Sequence, residues 1–223
     1  MVWKVRIPPV SWEQARIWNA KTIECLKALG KDRSYTEFDY TNVPEAFVFG
    51  YVGETGFRDW LWCLDKRWYY RAHPDGKSHG ADLHIWKVDG TLVKVDVKCG
   101  SRPHYEKLIV PEWQFLRDRR ERKIDVYVGL RLMEEGDSEW GQLMGWITFG
   151  ELNAWYKIHG ADNIIDEKRK ARTRSLRFPY SELRDMGEML EKLMDAPKHF
   201  LLEEEAAAKI VPALPVEHQG VLL

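Results

Sequence analysis

Val93, Val95 and Val97 alternate with Lys94, Asp96 and Lys98. This stretch constrains the fold more tightly than any other in the chain. Period-two alternation of β-branched residues describes a pleated strand with an apolar and a polar edge. Upstream, Leu83 and Ile85 are apolar while Asp82 and His84 share the opposite face, so Gly80–Trp86 reads as the partner strand. The parity of the connecting turn follows from the faces. A two-residue Asp89-Gly90 turn sets Leu83 against Asp96 and mixes apolar with polar positions. A three-residue loop, Val88-Asp89-Gly90 with Gly90 left-handed, sets Leu83 against Val95 and Asp82 against Asp96. Directly opposed Cβ atoms lie roughly 4.5–5.5 Å apart. Two carboxylates at that separation repel unless a cation or a proton lies between them. The expectation is therefore a metal ion between Asp82 and Asp96.

Around this hairpin the chain reads as alternating elements. Val2–Ile7 suits a short strand. Ser11 and Gln14 have capping-box spacing, which predicts a helix from Ser11 to about Leu29, stopped by Gly30. Asn42 and Glu45, with Pro44 in the first turn, predict a second helix to about Leu64, and its Gly50, Gly53 and Gly56 suggest either close packing on a sheet or a break in the helix. Trp68–His73 reads as the first strand of a meander. Pro111 opens a helix over about Glu112–Lys123, and Ile124–Leu132 reads as a strand reached by a parallel crossover. Gln142–Thr148 reads as a strand, Phe149–His159 as a short helix, Ile164–Arg177 as a charged loop and Ser181–Met194 as a helix. The fold class expected is mixed α/β: a central mixed sheet flanked by helices, core order αβββαβ, with an N-terminal helical extension. One domain covers 1–202, with the extension over 1–41, the core over about 42–148 and a helical C-terminal part over 149–202. A loosely ordered tail covers 203–223.

A length of 223 residues with 44% hydrophobic content supports one such domain. The net charge of −1 gives no overall basic signature, so contact with nucleic acid has to come from local patches. Three widely spread cysteines form neither a zinc pattern nor a disulfide framework. No segment has the length and apolarity of a bilayer span, and Met1–Arg6 resembles no signal peptide. A cytoplasmic location is expected. Eleven tryptophans suit core packing, with base stacking open to a few. Two basic runs stand out. Arg117–Lys123 is interleaved with acids and reads as a solvated helix face. Lys168, Arg169, Lys170, Arg172 and Arg174 have no acid among them and form the better nucleic-acid arm, with Arg102 a further candidate beside the lysine strand.

The helix, three strands, helix and strand, with Asp82 on one strand and Asp96-Val97-Lys98 on the next, resemble the PD-(D/E)xK nuclease superfamily, whose fold is restriction-endonuclease-like. The resemblance spans roughly Val43 to Leu132. Acid-x-Lys itself recurs at Asp75/Lys77, Glu121/Lys123 and Asp166/Lys168, but only Asp96/Lys98 lies on an alternating strand with an aspartate strand beside it. Asp75, in Pro74-Asp75-Gly76, reads as a turn. The resemblance implies hydrolysis of DNA phosphodiester bonds with Mg2+, or Mn2+ in its place. Asp82 and Asp96 match the family's acidic positions and Lys98 its lysine. Glu54 matches the acid on the helix before the sheet, and the Val97 carbonyl is a further implied ligand. Gln114 stands where some exonuclease-like members have glutamine, although Asp118 occupies the place of their accompanying tyrosine. His84 is an accessory candidate.

In this reading Lys98 orients or deprotonates the attacking water, and the substrate is duplex or single-stranded DNA. No membrane partner is expected, and a homodimer is open because duplex cleavage often takes two sites. The competing explanations are ordinary: solvent-facing strand carboxylates, and a Glu54–Arg58 helix ion pair. The competing functions are a non-catalytic nucleic-acid-binding or assembly protein, and a metal-dependent hydrolase of a small phosphorylated substrate.

Overall fold

The computed structural model describes residues 3–28, 47–64, 68–69, 81–87, 91–100, 106–166 and 171–193. Its centre is β4 (Leu92–Gly100). Val93, Val95 and Val97 are buried on one face, as the alternation requires, yet Asp96 on the other face is buried as well. The strand is covered on both sides because it is interior. It pairs antiparallel with β3 (Leu83–Trp86) and parallel with β6 (Val126–Leu132). Leu83 faces Val95 and Ile85 faces Val93. The Lys87 N–H donates to the Thr91 carbonyl at 2.9 Å, which leaves residues 88–90 as the connection that the parity argument required. The backbone at Gly90 lies outside the described residues.

The main sheet runs β1-β7-β6-β4-β3-β2, with β1 at Trp3–Arg6, β2 at Trp68–Tyr69 and β7 at Trp140–Thr148. Its strands are mixed in direction, as expected. Two helices, α1 (Pro9–Ala28) and α2 (Val48–Cys63), belong to one side, where Trp12, Val52, Phe57 and Leu61 share a core with Val95, Val97, Val128 and Leu130. The other side carries α3 (Glu112–Arg117), α4 (Phe149–His159) and a second sheet. That sheet has the order β5-β9-β8, with β5 at Lys107–Pro111, β8 at Asp162–Asp166 and β9 at Ala171–Pro179. Here Leu108, Val110, Phe115, Tyr127, Ile147, Leu176 and Phe178 form a second core. The last helix is α5 (Met186–Leu193), preceded by a 3-10 turn at Tyr180–Glu182. Among the described residues, no helix is long and apolar enough to cross a membrane.

Several elements differ from expectation, each for a local reason. The first helix starts at Pro9, a residue whose missing N–H costs nothing in a first turn. Ser11 lies inside that turn, donating its N–H to Pro8 O at 2.8 Å, so the Ser11–Gln14 box caps nothing. The expected start at Asn42–Glu45 and most of the strand over Trp68–His73 lie outside the described residues. The helix after Pro111 does not run regularly to Lys123. It passes into a π-helical turn over Asp118–Arg122, closed by left-handed Lys123 (φ 53°), whose N–H donates to Asp118 O at 2.6 Å. The charged segment Ile164–Arg177 is not a loop but most of a strand pair, since Leu176 and Phe178 bury against Leu108 and Val110. The part after 149 is accordingly not purely helical. The final helix starts late because Arg184 exchanges both backbone hydrogen bonds with Trp146.

Candidate active site

Four elements bring the predicted residues to one place beside the β3–β4 pair. Asp96 and Lys98 project from β4 on the face turned toward α3. Asp82 stands just before β3, its N–H donating to Val95 O at 3.0 Å. Its carboxylate turns to the backbone: Oδ2 accepts the Val97 N–H at 2.8 Å. Val97 thus takes part through its amide. Gln114, in the middle of α3, donates from Nε2 to Asp96 Oδ1 at 3.3 Å, while the Lys98 ammonium bonds Asp96 Oδ2. The Asp96 side chain is 1% exposed and that of Lys98 16%, so this pair lies largely out of water.

Glu54 arrives from α2. The helix gets close because Gly53 has no side chain: a Cβ there would stand 2.6 Å from Cys99 Cβ. Gly56, one turn on, meets Leu130 in the same way, with 3.2 Å available. The Glu54 carboxyl is held well above its ordinary range, first by burial, then by the charges of Asp82 and Asp96. Lys98 and Arg58 offset this only in part. Three carboxylates therefore act on one another around a single buried lysine. Cys99, next to Lys98 but on the α2 face, has its thiol pushed up to about 12 by burial.

Protein groups reach both carboxylates of the expected metal pair, Asp82 and Asp96. Lys98 and Gln114 hold Asp96, the Val97 amide holds Asp82, and burial with the charges of Asp82 and Asp96 raises the Glu54 carboxyl above its ordinary range. Among the described residues, no three His, Cys, Asp or Glu side chains are already set as a metal cage. The donor chemistry still fits a hard divalent cation: three carboxylates with mutual repulsion that a cation would remove.

His84 pairs with Lys94 and Tyr69, two residues along the same face from the level of Asp82 and Asp96, roughly 7 Å away along the strand. Other predicted residues fall elsewhere. Arg174 is exposed and bound to Glu112, with Nε to Oε2 at 3.1 Å. Arg172 lies on β9 two positions before it. Lys168, Arg169, Lys170 and Arg102 lie outside the described residues.

One buried pair was not anticipated. Asp118 is fully buried one turn after Gln114, and its Oδ2 accepts the Tyr127 hydroxyl proton at 2.8 Å. Tyr127 is the β6 neighbour of Asp96. The i,i+4 spacing of Gln114 and Asp118 was visible in the sequence, whereas the partner depends on the parallel register. No family model, curated protein or solved structure matches the chain.

Proposed function

We propose that this protein is a divalent-cation-dependent nuclease of PD-(D/E)xK type that hydrolyses DNA phosphodiester bonds. One observation carries the reading: Glu54, Asp82 and Asp96, from three separate elements, act on one another beside Lys98. A bound Mg2+ supplies charge neutralisation at the phosphate and acidity to a nearby water. Asp82, Asp96 and Glu54 are the residues that would hold it. Lys98, a buried cation beside these carboxylates, orients the attacking water and sets positive charge against the phosphate. Gln114 keeps Asp96 turned toward the site through its 3.3 Å hydrogen bond. The backbone N–H of Val97 does the same for Asp82.

A second reading is favoured by the contacts of Asp96, whose carboxylate is held by Lys98 and Gln114, groups of the protein itself. In it the chain keeps this fold to bind nucleic acid without cleaving it. Incubation with circular and linear DNA, with Mg2+ or Mn2+ and with EDTA, separates the two. Cleavage that needs the cation and disappears in Asp96→Ala supports the nuclease. An inactive parent protein under both cations, retaining DNA binding, supports the second reading.

A further inference from the structure

The sheet face that carries Asp96 and Lys98 continues past the helices toward β1. Direct cross-strand partners project on the same face, so the pairings define it. One row runs Gly100–Arg131–Gln142–Lys4 across β4, β6, β7 and β1. The next row pairs Trp140 with Arg6, and Met133 joins it through its N–H to Trp140 O at 3.0 Å. Lys4 and Arg6 are exposed, Arg131 and Gln142 half-buried, Trp140 42% exposed and Met133 36%. The Arg131 guanidinium donates to Gln142 Oε1, a neutral partner, at 2.9 Å. Tyr180 and Leu183 fill the space over Gly129 and bound this corner on the side of Lys98. Arg131 stands diagonally across from Lys98, roughly 8 Å away between backbones.

No acid occupies these positions of the face. Acids flank the face rather than occupy it: Glu134, Glu135 and Glu139 are exposed in the connection between Met133 and Trp140, Glu182 lies beside Leu183, and Asp137 is bound by Arg16 at 2.6 Å. The corner therefore combines three cations, an exposed indole and an exposed thioether on one sheet face.

We propose that this corner is a single-stranded nucleic-acid platform, with Lys4, Arg6 and Arg131 receiving phosphates and Trp140 stacking a base. Charge complementarity selects a polyanion, and the exposed ring beside Arg6 selects one that carries flat π-faces. A single strand offers unstacked bases outward to an exposed ring, which a duplex keeps inside its stack. The platform rests on the nuclease reading and deepens it by naming its substrate class, single-stranded nucleic acid.

The test is anisotropy of a labelled oligodeoxythymidine in EDTA, where no cleavage is needed, with thermal melts confirming the fold of each variant. Trp140→Ala should weaken binding about tenfold, with Trp140→Phe retaining most of it. The pair Lys4→Gln and Arg6→Gln should lower the log–log salt slope by about 1.4, which is two phosphates at 0.7 each for a single strand. Trp140→Ala binding as tightly as the parent overturns the platform. So does a parent protein that binds heparin or polyglutamate as well as the oligonucleotide, because an acidic partner then explains the charge. Absence of cleavage under Mg2+ and Mn2+, with Trp140-dependent binding intact, removes the nuclease and leaves the platform standing.

Discussion

Gly53→Ala tests how α2 delivers Glu54. The added methyl would stand 2.6 Å from Cys99 Cβ, whereas Gly50→Ala, three residues earlier in the same helix, meets nothing within 4 Å. Ordinary carbon contacts lie at about 3.5–4.0 Å, so helix and strand must separate by about 1 Å. Overpacking of this kind costs about 1–3 kcal/mol. Each alanine also gains up to about 1 kcal/mol of helix propensity, less at Gly50 in the first turn. Gly50→Ala should therefore be neutral or stabilising, and Gly53→Ala should fall about 1–3 kcal/mol below it. Guanidinium denaturation with unchanged m-values reads the difference. A cycle with Cys99→Gly, which removes the struck atom, should show coupling of about 1 kcal/mol or more. Equal shifts for the two alanine variants, or a cycle without coupling, would refute the close-approach argument.

Lys98→Ala leaves the buried Asp96 carboxylate without its cation and should cost about 3 kcal/mol, with added Mn2+ restoring part of it; a loss under about 1 kcal/mol in urea melts would contradict a buried pair. The Glu54 carboxyl titrates above its ordinary 4.5, so its favourable contribution is complete below that pH and is lost as pH rises through the raised value. Glu54→Gln should accordingly melt increasingly above the parent as pH rises past 4.5 in EDTA, and a constant gap would count against it. Cys99, with its thiol pushed up to about 12, should resist Ellman's reagent at pH 8 while exposed Cys63 reacts, as peptide mass mapping would show.

The β3–β4 register was readable because Leu83, Ile85, Val93, Val95 and Val97 leave only one pairing that keeps apolar side chains together. Burial of Asp96 was not, since its cover comes from α3 and depends on Gln114, a contact between elements. Gly53 was visible as an oddity in a helix, but its use requires knowing that Cys99 lies beneath it. β9 was hidden by its charges: Arg172, Arg174 and Arg177 mask the apolar pair Leu176 and Phe178, the positions that buried. Asp118 looked like a lost tyrosine because its hydroxyl partner, Tyr127, comes from the next strand.

β1 pairs with β7, joining Trp3 to Leu143, and β5 pairs with β9, joining Lys107 to Pro179. On the ribosome the β3–β4 hairpin can form from neighbouring residues as soon as it emerges. Both sheet closures must wait for much later segments, and high separation of contacts slows such steps. The emerging chain therefore carries its carboxylates for some time without the β6 and α3 cover that buries Asp96. The interval before β7 and β9 emerge is the stage at which a chaperone would matter most, and truncations that remove β9 should harm solubility before they alter the hairpin itself.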